Sequence, residues 1–300
     1  MDLIQKVLAC LPEKGRGALA DFLSESRREK VTELRFRAGA PLSVTFAGRN
    51  VCAFGGAEII YSEDELRSIV ARLCEESVHT YGETMKEGYI SLSDGARVGV
   101  CGRARADGQN VLSLRDVTSI CVRIPHIIRG AADEIMPLVF THGAVQSTLF
   151  YSPPGVGKTT LIRDVAKNLS SGSKRLRVSV VDSRGEIYMR ELFARSLCDF
   201  LDGYPKGLGI EIATRTLSPE VIVCDEIGGE AEAQAILSAQ NSGVPLIATA
   251  HASSFELLLM RPNIRKLYDA GIFRYYIGIS RASESEKFTF AVMDSVRRQT

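Results

Sequence analysis

The sequence has no tryptophan, little aromatic content and almost no net charge. Aromatic residues make up 7% of the 300 residues, and the formal net charge is +1. Proteins that bind single-stranded nucleic acid combine stacking aromatic side chains with a basic groove, so this composition argues against nucleic acid as a partner. No run approaches the roughly 18 apolar residues that span a bilayer, and no basic-then-apolar leader is present. We therefore expect neither a membrane span nor export by a signal peptide.

The cysteines are widely spaced. The chain has seven, an odd number, and none of them form a C-x-x-C pair. This spacing predicts reduced thiols in a cytosolic protein and argues against a zinc site or a disulfide framework. The apolar share of 45% supports a sizeable core, and 300 residues suggest about two domains.

The most informative stretch is residues 147–169, which read STLFYSPPGVGKTTLIRDVAKNL. An apolar run predicts a buried strand, prolines and glycines break it, and a helical pattern follows. This is the order of a P-loop, whose backbone amides surround phosphate oxygens while Lys158 reaches the terminal phosphates and the Thr159 hydroxyl ligates Mg²⁺. We therefore predict a bound nucleoside triphosphate. The residues predicted to line its phosphates are Ser152, Pro153, Pro154, Gly155, Val156, Gly157, Lys158, Thr159 and Thr160.

One position departs from the usual P-loop pattern. Ser152 stands where a glycine is normally found, five residues before Gly157. Serine is small and also enters turns, so the segment is interpreted as a variant of the loop. The alternative is a helix-capping glycine turn that binds nothing.

Two further apolar runs end in polar residues. The first run covers 221–224 and is followed directly by Asp225 and Glu226. The second covers 244–252 and carries Thr249 and His251 near its end. Parallel strands deliver such residues to the carboxyl edge of a sheet. Asp225 is therefore predicted to hold Mg²⁺, and Glu226 to orient or deprotonate the attacking water. We expect His251 beside the P-loop, where it senses the terminal phosphate; the alternative is a structural histidine.

A third strand, at 177–181, ends in Asp182 and is followed by Arg184 and Glu186. The same positional argument brings these side chains to the ligand-binding edge. The alternative is a solvated turn.

In the first part of the chain, the spacing of apolar residues alternates between the period typical of helices and the period typical of strands. This pattern predicts an α+β domain over 1–130, ahead of a P-loop domain with a mainly parallel sheet over 131–300. The predicted elements of the first domain are two helices before residue 30, a helix over 63–77 capped by Ser62, and strands at 32–37, 42–46, 88–92, 97–100 and 119–123, with turns at 94–95 and 107–108. In the second domain, the predicted elements include a loop over 203–209, a helix over 210–217 and a hairpin formed by 273–280 and 287–293.

Arginines recur on the predicted strands of the first domain. One interpretation is a solvated sheet face. The other is that one or two of them reach a nucleotide held by a neighbouring subunit, because phosphoryl transfer calls for an arginine. The sequence leaves the choice open among Arg35, Arg37, Arg97, Arg103, Arg105, Arg115 and Arg123.

Taken together, these segments resemble the stage III sporulation protein AA family, itself similar to the motor ATPases of type II and type IV secretion and of type IV pili. The resemblance covers most of the chain, at 34–42, 88–90, 97–103, 152–155 and 249–252. That family begins its loop with Ser-Pro-Pro, which accounts for Ser152. Residues 181–186 and 249–251 look like the acidic and histidine boxes of secretion ATPases, although Ser183 stands where a second acid is usual. The catalytic candidates are Glu226, Lys158, Glu186 and His251.

The resemblance implies a RecA-like core that hydrolyses ATP with Mg²⁺ as a homo-oligomeric ring, with a hexamer as the expected size. It further implies a cytoplasmic motor in the mother cell, associated peripherally with the membrane through partners. Those partners would be membrane proteins of a channel complex that connects mother cell and forespore. Two alternatives remain, a nucleic-acid-binding RecA-like ATPase and an ATP-gated assembly scaffold.

Overall fold

The buried apolar residues fall into separate clusters along the chain. A computed structural model describes residues 3–75, 81–92, 96–108, 110–281 and 287–296. Within it the chain divides into two units between His126 and Ile127. The first unit has one buried cluster and the second has two, so each unit has its own hydrophobic core.

The first unit combines short helices with an antiparallel sheet, as the sequence predicts. Its helices are α1 (Leu3–Cys10), α2 (Arg16–Phe22), α3 (Glu25–Arg28), α4 (Glu63–Leu73) and α5 (Gly82–Lys86). Its strands are β1 (Val31–Arg37), β2 (Ala40–Phe46), β3 (Arg49–Val51), β4 (Ala53–Phe54), β5 (Ala57–Glu58), β6 (Tyr89–Ser91), β7 (Arg97–Asp107) and β8 (Asn110–Arg123). Six of the described strands form a sheet in the order β3-β2-β1-β8-β7-β6, with Leu34 and Phe36 of β1 fully buried.

Three predictions for this unit need correction. The described part of the first thirty residues holds three helices, because the chain also breaks at Ser24, the N-cap of α3. Helix α4 has the predicted cap, with Ser62 and Glu65 exchanging hydrogen bonds of 2.7 and 3.2 Å. It ends at Leu73, before Glu75 takes a positive φ, whereas Ser77 and the turn at 94–95 lie outside the described residues. Strands β7 and β8 extend beyond the predicted ones, and their outer halves are largely exposed. Without a core to cover, these halves have no regular alternation of apolar and polar residues that would mark a strand.

The second unit is built on a parallel sheet. Its helices are α6 (Met136–Val139), α7 (Lys158–Ser171), α8 (Arg190–Phe193), α9 (Lys206–Ile212), α10 (Glu230–Ala239), α11 (Phe255–Leu259) and α12 (Pro262–Asp269). Its strands are β9 (Phe140–Thr141), β10 (Ala144–Val145), β11 (Thr148–Ser152), β12 (Val178–Asp182), β13 (Cys198–Asp202), β14 (Val221–Cys224), β15 (Leu246–His251), β16 (Tyr275–Ser280) and β17 (Thr289–Asp294). Strands β11, β12 and β14 are buried along their whole length, as expected for a sheet covered on both faces.

In the described chain, the large sheet has the order β13-β12-β14-β15-β11-β16-β17. All its pairs are parallel except β16 with β17, which form the predicted terminal hairpin. Strand β15 lies between β11 and β14. The ends of these three strands therefore meet at one edge, which places His251 beside the P-loop segment and next to the strand that precedes Asp225.

The predicted loop at 203–209 is wrong beyond Pro205, because helix α9 begins at Lys206 and continues as a π-helical turn over Ala213–Leu217. The glycines of α9 permit close packing and do not interrupt the helix. A Cβ at Gly209 would lie 2.6 Å from Val181 Cγ1, and one at Gly207 would lie 3.0 Å from the Ala231 carbonyl oxygen. Strand β13 was not predicted from the sequence. Its Asp199 and Asp202 are exposed, Cys198 and Phe200 are half-buried, and Leu201 is its one buried residue, so it lacks the apolar run of the other parallel strands. No helix in the described ranges is long and apolar enough to cross a bilayer.

Candidate active site at the carboxyl edge of the parallel sheet

Four neighbouring strands bring the predicted site residues together. Ser152 ends β11 and pairs in register with His251, which ends β15. Asp182 ends β12, and Asp225 directly follows β14. This convergence follows from the parallel topology, because each strand presents its carboxyl end at the same edge.

The segment predicted to bind phosphate forms a loop at residues 153–157, between β11 and α7. Gly155 and Gly157 have φ angles of 79° and 117°, a region that side chains rarely adopt. Gly157 is the N-cap of α7, whose first residues are Lys158, Thr159 and Thr160. The first amides of a helix have no partner within the helix and carry partial positive charge, so this end of α7 suits an anion.

The Lys158 side chain is folded back across this loop and is only 5% exposed. Its Nζ donates to the carbonyl oxygens of Ser152 and Pro153 at 3.2 and 3.1 Å, and to Ser152 Oγ at 3.3 Å. Burial lowers the pKa of Lys158, while Glu226 and Asp225 act in the opposite direction. Ser152, at the position of the usual glycine, thus supplies a hydroxyl that holds this lysine.

Thr159 and Asp225 form an oxygen-rich pair beside the loop. Thr159 Oγ1 donates to Asp225 Oδ2 at 3.3 Å. The other carboxylate oxygen of Asp225 accepts a hydrogen bond from Thr249 Oγ1. Burial raises the pKa of Asp225, and the Thr249 hydrogen bond opposes that rise.

This pair fits a magnesium ion. A hydroxyl and a buried carboxylate are hard oxygen ligands, and a divalent cation would compensate a carboxylate charge that burial disfavours. Among the described residues, no group of three or more His, Cys, Asp or Glu could hold a metal ion. Mg²⁺ commonly completes its coordination shell with phosphate oxygens and water, so two protein ligands suffice.

Glu226 is held firmly although it follows the end of β14. Its φ of 49° lies in the left-handed region. Its amide donates to Thr249 Oγ1 at 2.8 Å, and its carbonyl oxygen accepts from Lys206 Nζ. These two backbone contacts fix the direction in which the side chain leaves the strand.

The carboxylate of Glu226 contacts two side chains, one at each oxygen. His251 Nε2 lies 2.6 Å from Oε1, and Arg184 Nη1 lies 2.8 Å from Oε2. Burial would raise the pKa of Glu226, but His251 and Arg184 together more than offset it, so the pKa lies below its ordinary value. The group is therefore a carboxylate at neutral pH, as a general base must be.

His251 connects Lys158 to Glu226. Lys158 Nζ lies 2.8 Å from His251 Nδ1, and an ammonium group can only donate. The Nδ1 atom must therefore accept, which assigns the remaining ring proton to Nε2 and lets it bond Glu226. The result is a continuous path from the glycine loop to the acid at the end of β14.

The segment at the end of β12 contributes two residues in different ways. The Arg184 side chain reaches the site, whereas Asp182 stabilises the turn that follows the strand. Asp182 is buried, and its carboxylate accepts hydrogen bonds from the amides of Glu186, Ile187 and Tyr188 at 3.0, 2.7 and 3.3 Å. These bonds fix the turn on which Arg184 and Glu186 lie, and Glu186 itself is half-buried.

The chain also matches a known protein family. The family model described as sporulation stage III, protein AA, matches residues 5–292. The chain belongs to this family. It is 32% identical over 289 residues to stage III sporulation protein AA of Bacillus subtilis (strain 168), covering 93% of this chain and 92% of that protein.

Solved structures with the same fold include a pilus motor and an ATPase. The pilus retraction motor PilT with bound ADP superposes with a TM-score of 0.67 at 16% identity, over 91% of this chain and 82% of that one. The Legionella pneumophila ATPase DotB gives a TM-score of 0.62 at 15% identity, over 94% and 81%. At these identities the comparison shows the fold alone. The predicted RecA-like core with a separate α+β amino-terminal domain is confirmed.

Sequence reasoning missed several residues that support the site. Arg163, one turn after Thr159 on α7, donates to the carbonyl oxygens of Glu186 and Ile187. Spacing of four residues puts it on the same helix face as Thr159, which is the signal that was available. Lys206 lies in the segment predicted to be a loop. Arg261, which donates to the His251 carbonyl oxygen at 3.1 Å, has no local sequence signal that marks it.

Thr249 offers a test of how tightly this edge is braced. Its side chain is fully buried and bonds both Asp225 and the Glu226 amide. Thr249→Val keeps the shape but leaves both groups without that partner. We expect the free energy of unfolding to fall by about 1–3 kcal/mol, as measured by urea denaturation.

Thr249→Ser is the matched control, because it keeps the hydroxyl and loses only a methyl group. We expect it to unfold at a clearly higher urea concentration than Thr249→Val. Equal midpoints for the two variants would show that the hydroxyl does not brace the site.

Proposed function

We propose that this chain is a Mg²⁺-dependent ATPase and serves as a motor in endospore formation. The path Lys158–His251–Glu226 carries the proposal, because it joins a phosphate-binding lysine to an ionised acid beside the Thr159–Asp225 pair. Membership of the sporulation family and a fold shared with a pilus retraction motor support it.

In this mechanism each group has a separate task. Lys158 turns from the loop carbonyl groups to the terminal phosphates, which also meet the amides at the start of α7. Glu226 takes a proton from water as the water oxygen attacks the terminal phosphorus, and the bond to the bridging oxygen breaks to give ADP and inorganic phosphate. Thr159 and Asp225 would hold Mg²⁺, which would neutralise charge on the phosphates. The phosphate-binding residues are those predicted above, Ser152, Pro153, Pro154, Gly155, Val156, Gly157, Lys158, Thr159 and Thr160.

The remaining site residues position these groups. Arg184 and His251 fix the two oxygens of Glu226. When Lys158 turns to phosphate, His251 Nδ1 loses that donor, which gives the histidine its proposed role as a sensor of the terminal phosphate. Glu186, on the braced turn after β12, is the other proposed catalytic acid.

The biological setting of the proposal follows the family. The chain acts as a homo-oligomeric ring, with a hexamer as the expected size, on the cytoplasmic side of the membrane. Its partners are membrane proteins of a channel complex between mother cell and forespore. An arginine from a neighbouring subunit completes each site.

Light scattering combined with phosphate release tests the motor proposal. We expect the purified chain to assemble into a ring when Mg·ATP is added and to release phosphate. A ring that forms without turnover would contradict the motor and favour the ATP-gated assembly scaffold, and a stable monomer without turnover would contradict both. Stimulation of turnover by single-stranded DNA, lost steeply with added salt, would instead favour the nucleic-acid alternative.

A further inference from the structure

An aromatic ring and a guanidinium lie against the glycine loop on the side opposite Glu226. A Cβ placed on Gly157 would lie 2.8 Å from Phe288 Cζ and 3.6 Å from Arg281 Cζ. Gly157 directly precedes Lys158, so these two side chains border the phosphate-binding loop itself.

The β16–β17 hairpin fixes both side chains in place. Ser280 and Thr289 pair across the two strands, with their hydroxyl oxygens 2.7 Å apart. Arg281 and Phe288 are the next residues outward on the two strands, and the Arg281 guanidinium carbon lies 5.3 Å from the centre of the Phe288 ring. The pair is thus held by a strand that is parallel to β11 and adjacent to it.

The strand order shows on which side of the phosphate-binding loop Arg281 and Phe288 lie. His251, Asp225 and Glu226 come from β15 and β14, on one side of β11, whereas β16 lies on the other side. If the terminal phosphate and Mg²⁺ lie toward Asp225 and Glu226, the rest of the nucleotide extends past the loop away from them. The only flank of β11 left in this sheet is the one that carries Arg281 and Phe288.

We propose that Phe288 and Arg281 form the nucleoside end of the site, with Phe288 stacking on the nucleobase and Arg281 contributing a cation beside it. This inference rests on the proposed ATPase function. Aromatic rings and guanidinium groups stack on bases through their π faces. Such contacts tolerate any base, so this end of the site adds affinity for a nucleoside and discriminates weakly among bases.

Two ligands that differ only in the nucleoside test the assignment. Binding of Mg·ATP and of Mg·tripolyphosphate to the full-length chain is measured by titration calorimetry. We expect Phe288→Ala to weaken ATP binding by about 5- to 150-fold, the loss of one stacked base. Tripolyphosphate has no base, so its affinity should change by less than about twofold.

Phe290→Ala is the matched control, because this ring lies on β17 two residues after Phe288, with the ring centres 6.3 Å apart, and is also half-buried. It should leave the affinity for both ligands unchanged. Phe288→Leu keeps an apolar contact with Gly157 but removes the ring, so it should also weaken ATP binding alone. This second variant covers the case in which Phe288→Ala does not fold.

Each other outcome has a definite meaning. Equal weakening of ATP and tripolyphosphate would overturn the inference, because Phe288 would then only shape the loop. Unchanged ATP affinity in both Phe288 variants would overturn it as well, with the proposed ATPase intact. A wild-type chain that bound neither ligand would overturn the proposed function and this inference together.

Discussion

Replacing Glu226 with glutamine should leave ATP bound but slow its hydrolysis by about 100- to 10,000-fold, the usual contribution of a general base. The amide keeps the size of the side chain and can still accept one hydrogen bond, from His251 or Arg184. It cannot take a proton from water. The measurement is steady-state phosphate release beside ATP affinity, and we expect the affinity to stay within a few-fold of wild type.

The same strand offers a matched control for this substitution. Glu220 lies at the amino end of β14 and pairs with Arg177 at 3.4 Å, much as Glu226 pairs with Arg184 at the carboxyl end. Glu220→Gln therefore loses a comparable ion pair at the opposite edge of the sheet. We expect normal turnover from it. Turnover retained by Glu226→Gln, or lost equally in both variants, would refute the assignment of Glu226.

Replacing Lys158 with alanine should remove measurable ATP binding. In the proposed complex Lys158 donates charge-assisted hydrogen bonds to two phosphate groups, each worth about 1.5–3 kcal/mol, which together correspond to a loss of more than about 100-fold in affinity. Titration calorimetry with Mg·ATP measures this loss. Turnover should disappear with binding, in contrast to Glu226→Gln.

Lys167→Ala is the control on the same helix. Lys167 lies on α7 and donates to Ser171 Oγ at 2.9 Å, two turns beyond the loop. Its removal takes one positive charge from α7 without touching the loop, so ATP affinity should not change. If both lysine variants bound ATP as wild type does, the nucleotide would have to lie elsewhere.

The sequence predicted much of the parallel sheet because its strands leave a clear signal. Apolar runs that end in Asp182, Asp225 and His251 are typical of buried strands with polar ends, and parallel topology brings such ends together. That inference did not require knowledge of the strand order. It therefore survived although β13 was missed.

What the sequence did not predict depends on contacts between distant residues. Gly207 and Gly209 look like turn residues, yet their lack of a side chain serves close packing of α9 against β12 and α10. Arg163 resembles any exposed cation on a helix until the turn after β12 closes over it. Phe288 meets Gly157 only because the terminal hairpin returns beside β11, which no local pattern encodes.

A single-turnover experiment tests the central claim most directly. Excess protein is mixed with Mg·ATP labelled at the terminal phosphate, the reaction is quenched, and the bound label is separated into ATP and phosphate. We predict phosphate from the wild-type chain and intact bound ATP from Glu226→Gln. Bound ATP that stays intact on the wild-type ring, or phosphate formed equally fast by both chains, would contradict an ATPase centred on Glu226.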